Sequence, residues 1–195
     1  MGGLTMSKKA LIVVDMQNDF CPGGALPVPH GDEVIAPINA LVDEYTAAGQ
    51  LVVYTKDHHP AGHHSFKINH PAGLWPPHCV QHTPGWELHP GLKVVGPTFY
   101  KAFTVTGDSY SGFGGHIEPD ANAQTLAAYL KENEVAAVTV VGLALDYCVR
   151  ATAIDADEAG FATTVYLSAT RAVNVQSDDG DKAIAELKSL GIGVQ

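Results

Sequence analysis

The apolar positions of this chain fall into short unbroken runs, separated by stretches in which they recur at helical spacing. The run ALIVVD (10–15) comes first, a helix is predicted over 33–48 and stops at Gly49, and LVVYTK (51–56) reads as the second strand. Regular alternation resumes later with a helix over 119–133, the strand AAVTVVG (136–142), a helix over 146–159, the strand ATTVYLS (162–168), a helix over 178–190 and a short closing strand GVQ. Runs apolar on both faces suit buried parallel strands. The pattern therefore predicts an α/β protein with a doubly wound, mainly parallel sheet and helices on both faces. Between the two regular halves, residues 60–115 are rich in Pro, Gly and His and offer only short strand-like pieces near LKVVG and TFYK. A loop region of that length inside a compact domain usually carries function.

Composition narrows the class. The 195 residues suit one domain spanning 1–195, and 46% apolar with 16% charged residues is the composition of a globular protein. No apolar run is long enough to span a bilayer. The start, MGGLTMSKKALIVVDMQ, reaches Asp15 too soon for a secretory signal, so a cytoplasmic protein is expected, and Met6 offers a second start that would make Met1–Thr5 an appended leader. A net charge of −10 argues against nucleic acid or an anionic membrane as partner and favours a small neutral or cationic ligand. Cys21, Cys79 and Cys148 are too few and too widely spaced for a disulfide framework, so each is read as a thiol.

In doubly wound sheets, ligands bind outside the carboxyl ends of the strands. Asp15, Asp57, Asp146 and Cys148 are all expected at that edge. Cys148, in VVGLALDYCVRAT, falls in the first turn of a predicted helix, where unpaired N–H groups favour a thiolate and can hold an oxyanion. A buried structural cysteine is the alternative. No histidine is near Cys148 or Asp15 in sequence, which makes Asp15 the candidate proton acceptor. From reference pKa values of ~3.9 and ~8.5, that transfer costs about 6 kcal/mol. Burial of the carboxyl group, together with a helix start and an ammonium beside the thiol, would close the gap. Lys101, at the end of TFYK, supplies the ammonium if it is buried rather than a solvated surface charge.

The stretch TKDHHPAGHHSFKINHPAGLWPPHCV (55–80) concentrates histidines behind the second strand. Asp57 and His59 are two apart and share a face in extended backbone, and His78 follows the rigid WPP segment. One carboxylate and two imidazoles with open positions suit one divalent ion: zinc, iron or manganese. A merely polar histidine loop is the competing reading. His63, His64 and His70 are expected in solvent, and Ser65 is expected to reach a metal-bound water rather than the metal.

Taken together, ALIVVDMQNDFCPGGAL, TKDHHPAGHHSF, LWPPHCVQHTPGWELHP, FYKAF, DSYSGF and VVGLALDYCVRATAIDA resemble, in order and along essentially the whole chain, the nicotinamidases, the pyrazinamidase-type enzymes of the isochorismatase-like hydrolase fold. The resemblance implies a catalytic triad of Asp15, Lys101 and Cys148, and a metal on Asp57, His59 and His78. It further implies a cis peptide at Leu143–Ala144 that sets the amides of Ala144 and Cys148 as an oxyanion hole. Phe20, Trp75 and Tyr110, with Leu143, would form the substrate pocket. The implied activity is hydrolysis of nicotinamide, and of pyrazinamide, to the acid and ammonia in NAD salvage. The fourth protein contact to the metal varies in the family, and Ser65 stands at that place here. Competing readings are another hydrolase of the fold such as an N-carbamoyl amidase, a metal-hydroxide hydrolase with a structural cysteine, and a non-catalytic metal-binding module.

Overall fold

The structure, a computed structural model, describes residues 7–195, so the alternative start at Met6 and the leader before it lie outside the described residues. Six strands, β1 (Lys8–Val14), β2 (Leu51–Asp57), β3 (Thr98–Lys101), β4 (Val135–Leu143), β5 (Ala162–Arg171) and β6 (Gly193–Val194), form one sheet. Their order is β3-β2-β1-β4-β5-β6 and every pairing is parallel. This is the doubly wound arrangement, with the switch point between β1 and β4.

The alternating side chains of β1 divide the core in two. Leu11 and Val13 pack with Ile38 and Val42 of helix α1 (Ile35–Ala47) on one face. Ala10, Ile12 and Val14 pack on the other against α2 (Leu126–Glu132), α3 (Arg150–Glu158) and α4 (Asp179–Ser189), through Leu126, Leu130, Ala153, Ala156, Ala183 and Leu187. The outer edge of β3 is covered, because Tyr100 and His116 exchange backbone hydrogen bonds of 2.7 and 3.0 Å.

Two of the sequence expectations are corrected. The helix expected from 119 begins at Leu126, because His116 and Thr125 are engaged in an antiparallel bridge and the Thr125 side chain caps Ala128 N–H. LKVVG is not a strand: Val94 and Val95 are exposed, and the Tyr54 hydroxyl donates to Lys93 O at 2.6 Å and accepts from Val95 N–H at 3.3 Å.

The exit of β4 shapes the site. Gly142 has φ +109°, and a Cβ there would lie 2.1 Å from Val14 O, so only glycine lets β4 pass β1 at this point. The Leu143–Ala144 peptide is cis. A single π-helical turn, Leu145–Val149, then leads into α3.

Candidate active site

Asp15 leaves β1 in a left-handed conformation, φ +47°, which turns its carboxyl group across the strand ends. Thr55 of β2 donates its hydroxyl to Asp15 Oδ1 at 2.6 Å. Lys101 closes β3 and, like Asp15, is fully buried, and its Nζ is 2.9 Å from Asp15 Oδ2. The same ammonium donates to Asp57 Oδ1, to Ser109 O at 3.1 Å and to Cys148 Sγ at 3.6 Å. Beyond the Lys101 ammonium, Asp15 Oδ2 has no other partner among the described residues, so a lone pair remains for a proton.

The protonation states follow from competition between burial and charge. Burial, joined by the neighbouring Asp57 charge, raises the Asp15 pKa despite Lys101. Burial also opposes ionised Asp57, but Lys101 and then His59 overcome it and hold that carboxyl group well below the usual range. Burial disfavours the Lys101 ammonium, yet Asp15, Asp57 and Cys148 together keep it charged. For Cys148, burial pushes the thiol well above its ordinary value and Lys101 only partly offsets this. The expectation of a thiol lowered by a helix start and an ammonium is thus corrected: the buried π-helical turn leaves a neutral thiol beside a carboxyl group of raised pKa. Burial raises both groups, and Lys101 pulls both back.

On the opposite wall, the strand alternation sends Asp57 and His59 to the site and His58 away from it, against His82, Trp86 and Tyr100. His78 Nδ1 donates to Pro76 O at 2.8 Å, which directs Nε2 inward. His59 Nε2 and His78 Nε2 are 3.6 and 4.0 Å from Asp57 Oδ2. Those separations are too long for hydrogen bonds and close to the ~3.4 Å between neighbouring ligands around a tetrahedral ion with bonds of ~2.1 Å. All three are buried and their ligand atoms lie within 4.8 Å of one another, so the donor set fits one divalent metal. Asp15, Asp57 and Cys148 are equally close, but there the Lys101 ammonium supplies the positive charge.

Cys148 on one side and Asp57, His59 and His78 on the other line one cleft, with Asp15 and Lys101 buried behind its lining. Phe20, Trp75, Tyr110, Leu143, Ala144 and Ser65 all line it. Trp75 Nε1 donates to the Tyr110 hydroxyl at 3.1 Å, joining two loops at the rim.

The sequence pattern of the Isochorismatase domain family matches residues 9–195. The nicotinamidase of Escherichia coli is 37% identical over 95% of this chain and 93% of its own length. The nicotinamidase/pyrazinamidase of Mycobacterium tuberculosis is 40% identical over 94% of this chain and 96% of its own. The chain belongs to the nicotinamidase family. Among solved structures, the pyrazinamidase of Pyrococcus horikoshii in complex with zinc superposes with a TM-score of 0.85 at 40% identity, over 96% of this chain and 98% of that one.

Against that family background, two residues stand differently from the sequence reading. His63 is fully buried, not solvated. Its Nε2 is 2.9 Å from Gly107 O, which can only accept, so Nδ1 takes the Ser65 hydroxyl proton at 2.7 Å. Asp146 does not enter the cleft; it accepts the N–H groups of Val173 and Asn174 at 2.9 and 2.8 Å and anchors the loop after β5. The sequence reading missed Tyr147, Val173 and Asp108 as cleft residues. Tyr147 adjoins Cys148, and that neighbourhood could have suggested it, whereas the other two arrive on irregular loops.

Proposed function

We propose that this member of the nicotinamidase family hydrolyses nicotinamide, and the related carboxamide pyrazinamide, to the carboxylic acid and ammonia through a thioester on Cys148. The observation that carries this reading is the contact of one buried ammonium, Lys101, with Asp15, Asp57 and Cys148 at the wall of a cleft whose other wall presents Asp57, His59 and His78.

In this reading Asp57, His59 and His78 hold a divalent ion, which supplies a Lewis-acid position for the ring nitrogen, directly or through water. Ser65, its own proton committed to His63, offers only an acceptor to a water at that position. Phe20, Trp75, Tyr110 and Leu143 enclose the ring. Asp15 Oδ2 takes the thiol proton as Sγ bonds to the carboxamide carbon, and the amides of Ala144 and Cys148 receive the oxyanion. The C–N bond then breaks, ammonia leaving with the proton from Asp15. Water, deprotonated by Asp15, attacks the thioester, and the proton returns to sulfur as the C–S bond breaks. Lys101 remains charged throughout and balances the carboxylates. A cytoplasmic place in NAD salvage, with residues 1–195 acting as one catalytic domain, belongs to the same reading.

The test is ammonia release from nicotinamide with metal content measured in parallel. Cys148→Ala is expected to lose about 10⁴-fold or more in turnover while retaining metal. His59→Ala and His78→Ala are expected to lose metal and raise KM. Appreciable turnover by Cys148→Ala would establish attack by metal-activated water and end the covalent reading.

A further inference from the structure

Between Asp15 and Phe20 stand three polar residues, Gln17, Asn18 and Asp19, that the mechanism does not use. Each reaches across to a segment remote in sequence. Gln17 is fully buried. Its side-chain amide pairs with the Asp57 peptide in both directions: Oε1 accepts Asp57 N–H at 2.9 Å, and Nε2 donates to Asp57 O at 2.9 Å. Nε2 also donates to Trp86 O at 2.9 Å. Asn18 donates to Pro84 O at 2.8 Å.

Asp19 serves the other histidine-bearing segment. Its Oδ2 accepts the N–H of Cys79 at 2.7 Å, and its Oδ1 accepts that of Ala25 at 3.0 Å. Cys79 directly follows His78 and sits at φ +46°, a conformation unfavourable to a residue with a side chain and therefore in need of external support. Room for the carboxylate is kept at Gly85, where a Cβ would lie 2.2 Å from it.

From these contacts we infer that Gln17 and Asp19 are positioning residues for the metal ligands, Gln17 acting through the backbone of Asp57 and Asp19 through the backbone that carries His78. The turn that directly follows the base also sets the metal site. A carboxylate ligand at a strand end and an imidazole on an irregular loop have no regular structure in common, and these two side chains fix their relative placement from one three-residue turn. Groups that orient ligands in this way typically govern affinity by about 10–100-fold. The inference rests on the assignment of Asp57, His59 and His78 as ligands.

The experiment measures zinc affinity by competition with a chromophoric chelator for the parent, Gln17→Met, Asp19→Asn and His78→Ala, at high salt so that the lost Asp19 charge is screened. The melting temperature of each metal-free protein and the rate of Cys148 alkylation in that form are recorded alongside. Gln17→Met and Asp19→Asn are each expected to weaken zinc binding about 10–100-fold, with Cys148 alkylation near the parent rate. The two act on different ligands, so either alone decides the matter if the other does not fold. Zinc affinity within about twofold of the parent, with or without a lower melting temperature, overturns the inference provided His78→Ala binds zinc weakly. If His78→Ala also binds zinc like the parent, the ligand assignment itself falls.

Discussion

Replacing Lys101 by Met keeps an unbranched side chain one atom shorter and removes the one ammonium shared by Asp15, Asp57 and Cys148. Nζ is 3.6 Å from Cys148 Sγ. With an effective dielectric constant of about 20, a thiolate at that separation loses about 4.6 kcal/mol of attraction, or about 3 pKa units. Part of this is recovered when one carboxyl group takes up a proton to relieve the new repulsion between Asp15 and Asp57. Alkylation of Cys148 by iodoacetamide at neutral pH is therefore expected to slow by about 10²–10³-fold, on the basis of that thiol shift. Peptide mapping by mass spectrometry follows Cys148 separately from Cys21 and Cys79 and gives its pH profile directly. Lys101→Arg should rescue poorly, because a planar guanidinium cannot occupy a compact ammonium site packed between two carboxylates. A Lys101→Met profile that overlays the parent would refute the reasoning and leave Asp15 and Cys148 as the working pair.

Two further outcomes test the fold around the site. Gly142→Ala places a methyl group against the Val14 carbonyl at φ +109°, and is expected to cost about 3 kcal/mol and lower Tm by about 6–12 °C, measured by calorimetry. A change under about 2 °C would show that β4 can shift to admit a side chain. Burial and the Asp32 charge push the Cys21 thiol up from 9.0 to about 11. The folded protein thus retains this proton after the unfolded chain has released it, a contribution to stability that is present below pH 9 and lost as pH rises from 9 to about 11. At pH 9 Cys21 should be alkylated about 50-fold more slowly in the native protein than in urea, and equal rates would contradict its buried setting.

Legibility in the sequence followed the range of the interaction. The central strands were readable because parallel strands covered on both faces need largely apolar runs, and β1, β2 and β4 have them, while β5 alternates buried with more exposed positions. Asp57 and His59 were readable by strand period, and Cys148 by its place after a buried strand. The start of α2 was misplaced because the bridge between His116 and Thr125 claims backbone that local propensity would give to a helix. Asp146 looked like its neighbours at the strand ends, but its two backbone donors at Val173 and Asn174 lie 27 and 28 residues away. Gln17 is 40 residues from the peptide it holds, and Asp19 is 60 from Cys79. No local pattern announces such partners.

The covered edge of β3 also bears on self-association. A parallel sheet ends in a row of unpaired backbone groups that can recruit a strand from another molecule, and proteins blunt such edges by covering or shortening them. Here Tyr100 spends its outward N–H and C=O on His116, while the far edge is the two-residue β6. Lys101 is the next residue along the covered strand, so the edge that denies a foreign strand its template lies one residue from the carrier of the buried ammonium. A change that loosened residues 112–117 would free the backbone of Tyr100 and be felt first as clumping of the protein on heating.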